Sequence, residues 1–290
     1  MPTWVMVAMR SGVALTVLAL GLSASWQDAT FLLRRPGKLA RALASMNVVM
    51  PLFTAAMISL FDLRPAVAVA LITLAVSPIP PILPRKALKA GGGAAYTIGL
   101  LAVASLLAIV FVPLAVDLLG RASGKPARVS VVAVAQVVAL TVLAPLAAGM
   151  LVRGLARTFA ERIARPAAVA GLILLGAGLV PVLVATAPAL VPLLGNGTLA
   201  AIIAFDLVGL VAGYLLGGPE PEERTVLALT TASRHPGVAL VVASANVSDP
   251  KPVIGAMVLY LLVNAVVSLL YVAWSKRRRV KAPHAVAPAR

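Results

Sequence analysis

The sequence predicts an all-α polytopic membrane protein, and its composition carries this prediction. Of 290 residues, 61% are hydrophobic and 12% are charged, and the mean hydropathy is +1.03. A soluble domain has about 45–50% apolar and about 25% charged residues. Because a membrane-spanning helix needs roughly 20 apolar residues, the chain has room for about nine or ten spans. This composition excludes a soluble enzyme with one core, a disordered chain and a collagen-like chain.

Nine apolar stretches follow one another along the chain, and each predicts a membrane-spanning helix. Short segments rich in Pro, Gly and charge separate them, as at residues 34–38 and 217–224. We expect a single transmembrane domain over residues 1–290, ending in a basic cytoplasmic tail at 275–290. The predicted spans are 4–23, 39–60, 66–84, 93–118, 130–152, 167–187, 197–216, 225–247 and 253–274.

The basic residues predict the orientation of the chain. The net charge is +16, and of 25 Lys and Arg residues, 18 fall in one set of alternating loops and 5 in the other. Since Lys and Arg concentrate on the cytoplasmic side, we expect a multi-pass protein of a bacterial inner or plasma membrane. Its N-terminus would lie outside and its C-terminus in the cytoplasm. No loop is large enough to form a nucleic-acid-binding domain, so we expect the lipid bilayer, not nucleic acid, as a partner.

The first apolar stretch has an alternative interpretation as a cleaved signal peptide. Arg10 precedes an apolar run, and small residues lie at 23–25. Cleavage would leave eight spans and would place the basic residues of 34–41 outside. The distribution of Lys and Arg opposes that arrangement.

The third apolar stretch is interrupted by prolines. Its smoothly apolar part, 66–77, is too short to cross a bilayer, and prolines follow at 78, 80, 81 and 84. Proline removes a helix N–H and clashes with the preceding turn. Broken backbone inside a membrane is tolerated where it is buried in protein or lines a cavity. We expect a break at depth near Ser77 and Pro78; the alternative is a short helix followed by an ordinary loop.

The eighth apolar stretch contains a polar break in its middle. Residues 230–237 read Thr-Thr-Ala-Ser-Arg-His-Pro-Gly, and proline and glycine disfavour a continuous helix. Arg234 would lie near the bilayer centre, where an arginine costs ~2.5–3.5 kcal/mol on insertion scales. We expect it to have a partner or a function; the alternative is a structural arginine bound to carbonyls freed at the break. Asp206, inside the seventh stretch, is a candidate proton carrier, a partner of Arg234 or a structural hydrogen-bonding residue.

The two interrupted helices run in opposite predicted directions, the third from outside to inside and the eighth from inside to outside. Interrupted helices in corresponding positions of oppositely oriented halves are typical of secondary transporters, whose binding site lies near the bilayer midplane. The sequence therefore predicts a transport site where the two breaks meet.

Seven segments form a recognisable series along the chain: 21–23 (GLS), 33–36 (LRRP), 50–52 (MPL), 75–78 (AVSP), 206–217 (DLVGLVAGYLLG), 224–229 (RTVLAL) and 236–243 (PGVALVVA). In order and spacing, these segments resemble the bile acid:sodium symporter family. The resemblance implies two inverted repeats, here of four plus five helices because the first repeat lacks its first helix. It implies two broken crossing helices, at 66–90 and 225–247. It also implies a panel at about 4–23 and 130–187, and a core at about 39–118 and 197–274.

The chain departs from the family pattern at the sodium ligands. Aligned on Gly237, the family's Glu and Gln positions at the second break are Thr230 and Arg234. The ligand positions at the first break are Leu83 and Pro84. Because no carboxylate remains at either break, we expect transport without sodium coupling. A proton carried by Asp206 or His235 is the alternative coupling ion.

We therefore predict a secondary transporter of a small organic anion, working by alternating access of core against panel. Arg234 would be a fixed cation that binds a carboxylate or sulfonate. Alternatives are a sodium-dependent bile-acid-type symporter with relocated ion sites, an integral membrane enzyme and a structural protein. We expect no enzymatic activity, cofactor or metal, because the acids are scattered, there is no cysteine and there are two histidines. Predicted substrate-binding residues are Ser77, Pro78, Thr230, Thr231, Ser233, Arg234 and His235.

Overall fold

The computed structural model describes residues 2–124, 126–195 and 197–281, and in these ranges it consists of helices joined by short connections. Two π-helical segments, Ala44–Val49 and Ala139–Leu143, each lie between two α-helices. The α-helices are α1 (Thr3–Ser23), α2 (Trp26–Ala29), α3 (Pro36–Leu43), α4 (Met50–Leu60), α5 (Pro65–Val76), α6 (Leu83–Lys89), α7 (Ala94–Ala122), α8 (Val131–Val138), α9 (Ala144–Leu155), α10 (Arg157–Leu190), α11 (Thr198–Leu216), α12 (Pro221–Ala232), α13 (Pro236–Asn246) and α14 (Lys251–Lys281).

Eight helical segments of the described chain are long and apolar enough to cross a membrane, which confirms the all-helical polytopic fold. The remaining predicted span forms α5, which has 12 residues and is too short by itself. The count of nine spans and the two inverted repeats therefore stay predictions. The eight segments are Thr3–Ser23, Pro36–Leu60, Ala94–Ala122, Val131–Leu155, Arg157–Pro188, Thr198–Leu216, Pro221–Asn246 and Lys251–Arg277.

Two helices, α10 and α14, extend farthest beyond the predicted spans. α10 begins at Arg157, ten residues before the predicted boundary, and the Arg157 and Glu161 side chains form an ion pair one turn apart. Such i, i+4 pairs support a helix outside an apolar environment. α14 continues to Lys281, so the predicted tail at 275–290 is helical in its first part. The rest of that tail, 282–290, lies outside the described residues.

α1 packs lengthwise against α9 and α10, and all three helices lie in the predicted panel. A polar contact joins α10 to the predicted core, because the Arg85 guanidinium on α6 donates to the Ala168 carbonyl at 2.8 Å. The division into panel and core remains a prediction, since these contacts describe neighbours and not bodies that move.

Glycines on α11 seat it against α12. A Cβ atom added at Gly209 would lie 2.6 Å from the Ala232 Cα, and one added at Gly213 would lie 2.5 Å from the Ala228 Cα. Small residues four apart allow two helix backbones to approach closely inside a membrane. The close approach fixes the last turn of α12, where the second break begins, against the helix that carries Asp206.

α14 packs against α5, α11 and α13 and reaches the same region from the other side. The rings of Phe205 on α11 and Tyr260 on α14 meet edge to face, with centroids 5.7 Å apart. Such aromatic pairs contribute about 0.5–1.5 kcal/mol beyond their buried area. This packing directs the polar tip of Tyr260 towards the second break.

Candidate functional site

The first break follows the last turn of α5. The Ser77 hydroxyl donates to the Thr73 carbonyl at 2.6 Å, and the Ser77 amide donates to the Leu74 carbonyl at 3.0 Å. The next helical turn cannot form, because Pro78, Pro80 and Pro81 have no N–H to donate. The carbonyl of Ser77 therefore lacks a helical partner, and the break lies inside the protein, as predicted.

The second break separates α12 from α13 at residues 233–235. All three side chains are buried, with exposed fractions of 3% for Ser233, 1% for Arg234 and 4% for His235. Pro236 starts the new helix, a position that proline favours because no N–H is required there. The break was predicted from the same proline and the polar residues before it.

The two breaks cross and bond to each other, once through their backbones and once through the Arg234 side chain. The His235 amide donates to the Pro78 carbonyl at 2.9 Å, and Arg234 Nη1 donates to the Ser77 carbonyl at 3.1 Å. Four of the seven predicted substrate-binding residues, Ser77, Pro78, Arg234 and His235, are thus brought together. The Ser77 carbonyl, whose helical donor would be Pro81, and the Pro78 carbonyl are thus satisfied by donors from the other break.

The other three predicted residues point elsewhere. The Thr230 hydroxyl donates to carbonyls of its own helix. Thr231 Oγ1 lies 2.8 Å from the Ser45 hydroxyl on the first π segment, and the Ser233 hydroxyl donates to Asn264 on α14 at 3.1 Å. Thr231 and Ser233 thus bind the region of the break to neighbouring helices, and the contact between the two breaks is made by Arg234 and His235.

A second carbonyl for Arg234 comes from the π segment of the second predicted span. Arg234 Nη2 donates to the Met46 carbonyl at 2.8 Å. In a π-helix this carbonyl would accept from the residue five positions later, which is Pro51 and has no N–H. Met46 was not predicted; the available signal was a proline within an apolar span.

The guanidinium of Arg234 has no anionic partner among the described residues. The ion pairs of these residues are Lys38–Glu223, Arg121–Asp117 and Arg157–Glu161. A guanidinium has five N–H groups, and the described residues offer acceptors to two of them, while Nε has none. Arg234 therefore does bind carbonyls freed at the breaks, as the alternative interpretation expected. Three of its five N–H groups remain without an acceptor among the described residues.

Asp206 bonds to α14 instead of to Arg234. Its Oδ1 accepts from Asn264 Nδ2 at 2.9 Å, and its Oδ2 has no partner among the described residues. Asn264 Nδ2 also lies 3.3 Å from the Ala232 carbonyl at the end of α12. The same carbonyl accepts from the Tyr260 hydroxyl at 2.9 Å, and this hydroxyl accepts from the Arg234 amide at 2.8 Å. Neither Tyr260 nor Asn264 was predicted. Each is a single polar residue in an apolar helix, and the sequence does not show that it lies close to the second break.

His235 caps the N-terminus of α13. Its Nδ1 accepts from the amides of Gly237 at 3.1 Å and Val238 at 3.4 Å. Its Nε2 lies 3.2 Å from the Thr141 hydroxyl, which itself donates to the Val137 carbonyl at 2.6 Å. These partners indicate a neutral ring with the proton on Nε2. The ring also connects the second break to the π segment of the predicted panel.

Comparison with known proteins shows the family of the chain. A model described as the sodium bile acid symporter family matches residues 11–192, which is more than half of the chain. The matched residues include the first break and end before α11, so Asp206 and Arg234 lie outside them. A comparison with curated proteins finds no match. The chain belongs to the sodium bile acid symporter family.

Proposed function

Starting from membership of this transporter family, we propose that the protein is a secondary transporter of a small organic anion whose uptake does not depend on sodium. The observation that carries the proposal is the Arg234 guanidinium, which is 1% exposed, bound by two backbone carbonyls and without a carboxylate partner in the described residues. A permanent charge in this position needs an anion to neutralise it.

Arg234 takes the place of a mobile cation. In transporters with broken helices, the carbonyls of unwound backbone coordinate the coupling ion. Here the carbonyls of Ser77 and Met46 accept from the guanidinium instead. Because arginine is not deprotonated in proteins, this cation neither arrives nor leaves during transport. Leu83 and Pro84, at the predicted ligand positions, have no side-chain oxygen.

The anion is attracted mainly by the charge of Arg234 and less by the N-terminus of α13. The amides of Gly237 and Val238, in the first turn of α13, already donate to His235 Nδ1. These two donors of the helix N-terminus are therefore not available to an anion. Arg234 keeps three N–H groups for a ligand, and one pair of adjacent N–H groups suits the two oxygens of a carboxylate or sulfonate. Alternating access would require the contacts of Arg85 with Ala168 and of His235 with Thr141 to open.

The test is uptake into proteoliposomes of the purified protein, with tritiated taurocholate and carbon-14 pyruvate as a large sulfonate and a small carboxylate. Replacing sodium by potassium or choline at fixed pH should leave uptake nearly unchanged. A tenfold loss would correspond to ~1.4 kcal/mol of coupling. That result would favour the second candidate, a sodium-dependent bile-acid-type symporter with its ion sites elsewhere.

Variants of Arg234 separate charge from geometry. Arg234→Lys keeps the charge but loses the planar fork, and should weaken anion affinity by about 1–3 kcal/mol. Arg234→Gln should abolish uptake while the protein still inserts. The matched control is Arg121→Gln, because Arg121 is an exposed arginine paired with Asp117 at the end of α7. Normal uptake by Arg234→Gln would reduce Arg234 to a structural residue.

Restoring the family residues gives a sharper comparison. The double change Thr230→Glu with Arg234→Gln places a carboxylate and an amide where the family carries them. This variant should recover sodium-dependent uptake, whereas each single variant should transport nothing. Sodium-independent uptake by the double variant would contradict the idea that Arg234 replaces the ion.

A further inference from the structure

Asp206 on α11 is a buried acid that the proposed anion site does not use. We infer that Asp206 binds the coupling proton, and that one proton accompanies each monovalent anion without net movement of charge. The inference rests on the proposed function, since it names the coupling ion of the same transporter. Its test is chosen so that the two can fail separately.

The surroundings of Asp206 favour the binding of a proton. Its exposed fraction is 0%, and it lies in the middle of α11. One oxygen accepts a hydrogen bond from Asn264 and the other has no partner among the described residues. A carboxylate removed from water with a single hydrogen bond is far more costly than the neutral acid.

Few charged groups face Asp206 from the elements packed on α11. Tyr260 on α14 and Lys86 on α6 interact with it electrostatically, and Arg234 and His235 lie at the neighbouring break. α4, α5 and the π segment Ala44–Val49 contain no titratable side chain. The charges of α3 and α12 that reach α11 contact its far end, where Arg224 lies against Gly217 and Arg41 against Gly218. None of these groups forms an ion pair with Asp206 in the described residues.

Asn264 connects the state of Asp206 to the second break. Its amide nitrogen donates to Asp206 and to the Ala232 carbonyl, and its oxygen accepts from the Ser233 hydroxyl. A new charge on Asp206 would attract the amide and pull on both bonds to the break. Ser233 precedes Arg234, so the protonation of Asp206 and the position of the guanidinium are linked through one side chain.

The summed charge of Arg234, Asp206 and the bound anion couples the movement of the proton to that of the anion. With Asp206 ionised and no anion bound, its negative charge balances that of Arg234. With Asp206 protonated and a monovalent anion bound, the charges again balance. Binding the proton alone or the anion alone leaves one net charge in the membrane interior, which costs several kcal/mol. The empty and the doubly loaded forms are therefore the ones that change conformation.

The transport test varies the pH gradient and the membrane potential independently in the proteoliposomes. An inward gradient of one pH unit should support accumulation of taurocholate or pyruvate up to about tenfold. A potential set with potassium and valinomycin should leave accumulation unchanged. Accumulation that follows the potential and ignores the pH gradient would overturn the inference and leave the anion transporter standing. Absence of uptake of both anions at every gradient would overturn the proposed function and coupled transport with it.

Asp206→Asn supplies the distinguishing variant, because asparagine mimics the protonated acid permanently. It should lose gradient-driven accumulation and keep exchange of labelled for unlabelled anion. Asp206→Glu keeps a titratable group and should retain coupled uptake with a changed pH profile. The control is Asp117→Asn, which removes an acid paired with Arg121 and should behave as the unchanged protein. Normal accumulation by Asp206→Asn would overturn the inference.

Infrared spectroscopy tests the proton directly when the transported anion binds. At neutral pH and a saturating concentration of that anion, the unchanged protein and Asp117→Asn should show a buried carboxylic acid C=O stretch, and Asp206→Asn should lack it. The same band in all three proteins, or in none, would show that Asp206 does not hold the proton. This readout needs binding and no transport, so it decides the protonation of Asp206 even when a variant transports poorly.

Discussion

A single hydroxyl group, that of Tyr260, connects α14 to both sides of the second break. It accepts from the Arg234 amide at 2.8 Å and donates to the Ala232 carbonyl at 2.9 Å. Tyr260→Phe removes this oxygen and keeps the ring that packs on Phe205. The Ala232 carbonyl retains Asn264 Nδ2 at 3.3 Å. The Arg234 amide loses its acceptor, and this loss dominates the expected effect.

An unsatisfied buried donor costs about 1–3 kcal/mol, while hydrogen bonds between side chains in membrane proteins average ~0.6 kcal/mol. Since a backbone amide at a break cannot turn to another acceptor, we expect Tyr260→Phe to lower the free energy of unfolding by about 1–2 kcal/mol. Titration with SDS in mixed micelles measures this difference. Tyr214→Phe is the control, because the Tyr214 hydroxyl has no hydrogen bond within the described residues and its loss should cost under about 0.5 kcal/mol. Equal losses in the two variants would refute the bridging role of Tyr260.

Two further predictions concern topology and packing. A reporter fused after Arg290 should report a cytoplasmic location, and a periplasmic or extracellular signal would contradict the orientation expected from the basic residues. Gly213→Ala should lower thermal stability and yield in detergent, because its new Cβ would lie 2.5 Å from the Ala228 Cα. Gly176→Ala is the control, because no atom lies within 4 Å of the added Cβ, and it should leave the melting temperature unchanged. Equal melting temperatures of the two variants would show that α11 and α12 can move apart without loss of stability.

The positions of both breaks could be predicted because their causes are local. Prolines after Ser77 remove helix donors, and a polar run before Pro236 interrupts an apolar helix. Each break is therefore determined by a few adjacent residues. The ends of helices were harder to predict where a helix continues into a charged segment. The start of α10 at Arg157 was missed because hydropathy measures the apolar part of a helix and not its extension into water.

The partners of the breaks could not be predicted, since they come from elements distant in sequence. Tyr260 and Asn264 reach the second break from α14, and a tyrosine or asparagine within an apolar helix does not indicate its distant partner. Met46 contributes a backbone carbonyl, so its side chain carries no signal. The sequence left open whether Asp206 pairs with Arg234, and the structure shows Asp206 bonded to Asn264. Whether the predicted substrate-binding residues contact an anion stays a prediction.

The glycine contacts of α11 give the two halves of the broken helix different mechanical attachments. α12 is locked to α11 at Gly209 and Gly213, whereas α13 packs mainly on α5 and α8. Of the two halves, α13 therefore borders the predicted panel through α8, and α12 stays with the helix that carries Asp206. A displacement of the predicted panel would reach the second break at α13 and at the contact of His235 with Thr141. The spacing between Asp206 and Ala232 would be preserved while that contact opens.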